Sequence, residues 1–189
     1  SMLALRGSDL ANMRSLRWTP LPGARMEAND VQESLQDSSY FPVRSYVGAD
    51  AIEETLKAAI SPRLVHIATH GYYVPHKAPD SGTSGRRGTG GQRGLSRLRG
   101  GDYDSLLRSG IVLAGANRLL SGEDLSTNVD DGWLTAQEIS SVDFRNTQLV
   151  VLSACESGLG DSQLGHGVHG LRRSLLIAGA HNVMTSLFE

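Results

Sequence analysis

The chain has 189 residues, enough for one domain with a sizeable core, and is 39% hydrophobic and 20% charged. A formal net charge of −2 gives no global field for nucleic acid or an anionic membrane surface. No apolar run reaches the roughly 18 residues that span a bilayer, so no membrane partner is expected. The single cysteine excludes an internal disulfide framework and fits a reducing, cytoplasmic compartment.

Residues 1–19 read as a leader. After the turn at Pro22-Gly23, Met26, Val31 and Leu35 fall at helical spacing, which predicts a helix over about 27–36. "VRSYVG" reads as a short strand ended by Gly48. "ADAIEETLKAAI" reads as a second helix with Ile52, Leu56 and Ile60 on one face and Pro62 as its stop. "RLVHIATHG" is β-like and closed by Gly71. From Val74 to about Asp104 the chain is rich in Gly, Arg and Ser without an apolar period, and reads as a mobile surface loop. "SGIVLAGAN" is a strand, and "LTAQEISSV" is a short helix capped by Thr135 with Glu138 three residues on. "TQLVVLSAC" is a strand, "VHGLRRSLLIAGA" a helix and "HNVMTSLF" a last strand.

Strands alternate with helices, and the central strands are apolar throughout rather than alternating. That pattern predicts an α/β fold with an open, mainly parallel sheet and helices on both faces. No internal repeat is visible. The sequence stops at Glu189 directly after a strand that another helix would normally cover. Elements on the C-terminal side are therefore expected to come from elsewhere, for instance a companion C-terminal fragment.

In open parallel sheets, sites gather outside the carboxyl ends of strands. One such end carries Thr69-His70-Gly71 and another Ala154-Cys155-Glu156. Cys155 becomes a nucleophile only if a base takes its proton or a positive charge holds the thiolate, and His70 on a neighbouring strand end could do either. Gly71 lacks a Cβ, so a carbonyl could approach its backbone N–H and, with the N–H of Cys155, find an oxyanion hole. A buried structural cysteine beside an unrelated histidine remains the plainer alternative. Sequence spacing does not decide between them.

Other constellations are weaker. His66 and His70 have the i, i+4 spacing of a zinc pair on a helix, but on a strand they lie about 13 Å apart. His66 reads as a satisfied core histidine, and no metal is expected. "GHGVHG", residues 165–170, matches G-x-G-x-x-G, yet about ten residues separate it from the preceding strand and no acidic ribose partner follows. Its glycines read as loop turns, with His166 and His169 solvated. Arg86, Arg87, Arg93, Arg97 and Arg99 make the loop locally basic, but no aromatic is interleaved for base stacking, and direct nucleic-acid binding is not expected. An exposed stretch of this kind is also a place for proteolytic nicking.

Taken in order, "RLVHIATHG", "GIVLAGAN", "LTAQEIS", "LVVLSACESGLG" and "GLRRSLLIAGAHNVMTSL" resemble the CHAT family of caspase-like cysteine peptidases, and "PLPGARMEA" resembles the segment that often precedes that domain. The resemblance runs from about Pro20 to Glu189, interrupted by the Arg/Gly-rich insertion. It implies a caspase-like domain over 20–189 that is incomplete at its C-terminal side. It also implies His70 as catalytic base, Cys155 as nucleophile, and the amides of Gly71 and Cys155 as the oxyanion hole. In related enzymes the residue two before the nucleophile lines the pocket for the side chain preceding the cut. Here it is Ser153, small and neutral, so no selection by charge is expected from that position. The implied activity is that of a cysteine endopeptidase acting on a protein substrate, without metal or organic cofactor. The alternative is a non-catalytic caspase-like interaction or regulatory module. A helical-repeat, TPR-like region or a regulatory partner outside this chain is expected to accompany it. No third catalytic residue is assigned, because a backbone carbonyl could orient His70.

Overall fold

The structure, a computed structural model, describes residues 17–36, 42–74, 106–121, 130–158 and 166–186. At its centre β1 (Leu64–Tyr73) and β4 (Leu149–Gly158) run parallel in unbroken register, from Leu64 opposite Leu149 to Tyr73 opposite Gly158. Leu149–Leu152 of β4 and the Leu, Val, Ile and Ala of residues 64–68 in β1, broken only by His66, suit strands that have neighbours on both edges and cover on both faces. β5 (Val183–Ser186) extends the sheet parallel to β4. On the other side β2 (Ser109–Val112) pairs antiparallel with β1, and β3 (Trp133–Thr135) antiparallel with β2. The order β3-β2-β1-β4-β5 is an open α/β sheet, parallel at β1, β4 and β5.

Among the described residues five α-helices complete it: α1 (Pro22–Gln36), α2 (Glu53–Lys57), α3 (Ala116–Leu120), α4 (Ala136–Ile139) and α5 (His166–Ile177). On one face Ile111, Val150 and Leu152 join Ile139, Phe144, Leu171 and Leu175 in the main core, with Val65 and Ile67 packed against it. Excluding that much apolar surface from water is the main term holding α4 and α5 to the sheet. α1 lies across β1 and buries none of its residues completely. Glu27 on α1 reaches His66 and Ser153, so α1 lies over the face that carries those two residues. A smaller cluster gathers Tyr72, Val112, Ala116 and Trp133, with Trp18 resting on it. No helix among the described residues is long and apolar enough to cross a membrane.

The expected cap of α4 is present. The Thr135 hydroxyl accepts from the Glu138 amide at 3.2 Å, and the Glu138 carboxylate accepts from the Thr135 amide at 3.0 Å. Elsewhere the structure departs from the sequence reading. Residues 43–47 form no strand and Gly48–Asp50 is a 3-10 turn; both edges of β1 are already taken by β2 and β4. Strand propensity without a free ladder beside it does not suffice. The helix expected over 49–60 shrinks to α2, because Ile60 bridges to Asp143 and the Ser61 amide donates to the Asp143 carbonyl at 2.8 Å. Tertiary pairing, not Pro62, ends it. Gly71 does not close β1, which continues to Tyr73. His166 to Gly170 are helical rather than looped. The Arg/Gly-rich insertion lies almost wholly outside the described residues.

Tyr72 is 1% exposed, and its hydroxyl has no hydrogen-bond partner among the described residues. Burial pushes this phenol well above its ordinary range, and the charges of Glu138, Asp131 and Glu53 push the same way. Tyr72→Phe removes an unsatisfied polar atom while keeping the ring, so it is expected to be neutral or to stabilise by about 1 kcal/mol. Urea unfolding at constant m-value measures this; a clear loss of stability would reveal a partner for the hydroxyl.

Candidate active site

His70 and Cys155 are register partners on adjacent strands, with Gly71 opposite Glu156 one rung later. Neighbouring strands lie about 4.8 Å apart, so the ladder makes backbone neighbours of two positions far apart in sequence. The pair does not stand at the strand ends. Three more rungs follow, to Tyr73 and Gly158, and Gly71 is also in register with Ile111 of β2.

His70 is half-buried, and its Nε2 lies 2.8 Å from the Thr19 carbonyl oxygen. A carbonyl can only accept, so Nε2 must carry the proton, and in the neutral ring Nδ1 is then the basic atom. The Trp18 ring packs on the imidazole with centroids 5.0 Å apart at 45°. Trp18 in turn meets Trp133 edge-on at 5.4 Å, and Trp133 meets Tyr72 edge-on at 5.0 Å. The Trp18 backbone is tied to Asn117: its amide donates to Oδ1 at 3.0 Å, and Nδ2 donates to its carbonyl at 2.9 Å. Trp18 and Thr19 fall in the span read from sequence as a leader, yet they pack directly on His70.

Behind this pair, Glu27 of α1 joins the two central strands. Its Oε1 is 3.0 Å from His66 Nε2 on β1, and its Oε2 accepts from the Ser153 hydroxyl on β4 at 3.0 Å. His66 is thus a satisfied histidine, with a side chain 14% exposed against 36% for Glu27. Ser153 precedes Cys155 by two positions, and its hydroxyl is turned to Glu27 rather than left for a ligand. His169 is exposed on α5. Among the described residues no group of three or more His, Cys, Asp or Glu could hold a metal ion.

Trp18, Thr19, Glu27 and Asn117 were not singled out from sequence. Their only signal was membership of "PLPGARMEA" and "GIVLAGAN", or of the residues just ahead of the first; their partners lie 39 to 126 positions away. No match was found among curated proteins or solved structures. The CHAT domain family, in contrast, matches residues 2–189. With a parallel ladder setting a histidine opposite the sole cysteine inside an open α/β sheet, the chain belongs to the CHAT domain family of domains related to caspase-like cysteine peptidases.

Proposed function

We propose that the chain is a cysteine endopeptidase of a reducing cytoplasm, with Cys155 as nucleophile and His70 as its base. The carrying observation is the register of His70 with Cys155 on adjacent parallel strands. The bond from His70 Nε2 to the Thr19 carbonyl supports it, because it leaves Nδ1 as the ring atom able to take a proton.

In this reading Nδ1 takes the thiol proton and the thiolate attacks the scissile carbonyl. The proton then passes to the departing amine as the C–N bond breaks, leaving a thioester on Cys155. Water, deprotonated by the same imidazole, attacks the thioester; the C–S bond breaks, the acid leaves, and the imidazolium returns its proton to the Cys155 sulfur. The amides of Gly71 and Cys155 are the donors assigned to the oxyanion. Both lie within the paired region, so admission of a substrate carbonyl requires the rungs beyond His70 to part. Ser153 is assigned to the wall that meets the side chain preceding the cut, and as a neutral group selects no charge by itself. The substrate is a protein, and a helical-repeat region or regulatory partner outside this chain presents it.

An electrophilic peptide tests this reading against a non-catalytic interaction module. The peptidase predicts covalent labelling of Cys155, seen by intact mass and peptide mapping, that disappears in His70→Ala. Labelling at the rate of a free thiol, equal in the parent and in His70→Ala, would leave the interaction module as the better account.

A further inference from the structure

We infer that Asn117 is a positioning residue for His70, acting through the Trp18–Thr19 peptide that it holds against the imidazole. The inference deepens the assignment of His70 as base and depends on it for its catalytic consequence.

β1 fixes the backbone of His70, but it does not choose between the two tautomers of the ring or fix its rotation about χ2. Two contacts do that: the Thr19 carbonyl on Nε2 and the Trp18 ring on the imidazole face. Both come from a stretch without regular secondary structure, in which Arg17, Thr19 and Pro20 are exposed. Such a segment holds a ring steady only if it is itself held. Asn117 meets the Trp18 peptide with an acceptor at 3.0 Å and a donor at 2.9 Å, the two bonds of a β-ladder rung supplied by one carboxamide. Asn and Gln carry a separate donor and acceptor on one planar amide, the geometry that matches a backbone N–H and C=O together, and Asn carries them on the shorter, stiffer stem.

Asn117 is itself exposed, but its backbone neighbour is held in the core. Asn117 follows Ala116, which is 3% exposed and whose carbonyl accepts from Trp133 Nε1 at 3.0 Å; Trp133 is 0% exposed. The same Trp133 ring backs the Trp18 indole. One buried tryptophan therefore fixes both ends of the clamp, the amide that grips the peptide and the ring that rests on His70. When the imidazole accepts a proton at Nδ1, its Nε2–H already has an acceptor, so the ring need not turn to find one. Loosening Asn117 removes that orientation, although Asn117 never touches the reacting atoms.

The test uses the full chain labelled with 15N-histidine, with His70→Gln to identify the His70 signal. The parent is expected to show a slowly exchanging His70 Nε2–H. In Asn117→Ala that proton is expected to exchange roughly tenfold faster, as fits the loss of a pair of ordinary hydrogen bonds, while Trp18→Phe, which keeps both backbone bonds and a ring, stays near the parent. Asn117→Asp has the same shape but no donor to the Trp18 carbonyl, and serves where the alanine variant folds poorly; it is also expected to speed exchange. Cys155 alkylation by iodoacetamide against pH gives the second readout: Asn117→Ala is expected to lose the low-pH limb and follow an ordinary thiol. Unchanged Nε2–H exchange in both Asn117 variants overturns the clamp. Faster exchange, with parent alkylation that His70→Ala does not alter, upholds the clamp and removes the peptidase reading instead. An unchanged alkylation profile in Asn117→Ala, where His70→Ala does abolish the low-pH limb, overturns the positioning role.

Discussion

Lys57→Met is expected to cost about 1–3 kcal/mol of folding stability, between the cost of breaking an exposed ion pair and that of breaking a fully buried one. Glu53 is buried, whereas Lys57, Asp130 and Glu138 are partly exposed. The Lys57 ammonium lies 2.8 Å from Glu53, 2.9 Å from Asp130 and 3.3 Å from Glu138. Glu53 is 1% exposed and also accepts from the Gly132 amide, so α2 is tied through one lysine to the segment that starts β3 and α4. Methionine keeps most of the stem's volume and isolates the loss of charge. Glu53 then loses the ammonium that balances it, and at 1% exposure its carboxylate has almost no contact with water. Chemical denaturation should show a lower midpoint at unchanged m-value. A loss below about 1 kcal/mol would mean the cluster behaves like exposed ion pairs.

The same cluster gives stability a pH dependence with a definite sign. Burial raises the Glu53 carboxyl to about 7; the hydrogen bond and charge of Lys57 oppose this, and Asp131 and Asp130 add to it. The upward direction is the one to stand behind, because a single ammonium divided among three carboxylates returns less than a wholly buried carboxylate loses. Lys57 is held above its own usual range by Glu53 and Asp130, against its burial, an effect felt only in alkaline solution. Between the ordinary carboxyl value of 4.5 and about 7 the folded chain binds more protons than the unfolded chain. Stability from this group is therefore fully present below 4.5 and lost as pH rises through about 7, by something on the order of 3 kcal/mol. Glu53→Gln keeps an acceptor for Gly132 and removes the titration, so its stability between pH 5 and 7.5 should be flatter than the parent's.

Legibility in the sequence followed the range of the forces involved. β1 and β4 could be read because strands rich in apolar residues on both faces are what a central parallel pair requires, and the α4 cap because both of its partners lie within four residues. β3 could not: three residues carry no period, and Trp133–Thr135 is a strand because β2 offers an edge and Trp133 a place in the core. "VRSYVG" failed for the converse reason, having the composition of a strand and no ladder. At the site, "ATHG" and "LSAC" pointed to His70 and Cys155, but only pairing in the fold makes them register partners. Glu27 and Asn117 look like ordinary helical polar residues; what each does depends on a partner about a hundred positions away.

The largest effect is expected on the reaction itself. If His70 is both base and acid, His70→Ala should slow amide cleavage roughly 10³–10⁴-fold or more, the scale on which lone members of catalytic pairs act. A matched ester should suffer less. An unassisted thiol is only a few per cent thiolate near pH 7, which accounts for roughly thirtyfold. Beyond that, an amide needs a proton delivered to its leaving nitrogen, whereas an alkoxide departs with less help. The ratio of the two losses therefore reads the acid role separately from the base role. Cys155→Ala should abolish both activities, since no acyl-enzyme forms. Both variants keep β1 and β4 paired, because neither changes a backbone hydrogen bond, so thermal melts near the parent's are the control. Equal losses for ester and amide would confine His70 to activating the thiol and assign the leaving-group proton to another donor. No loss for either would return His70 and Cys155 to a sheet that merely holds them side by side.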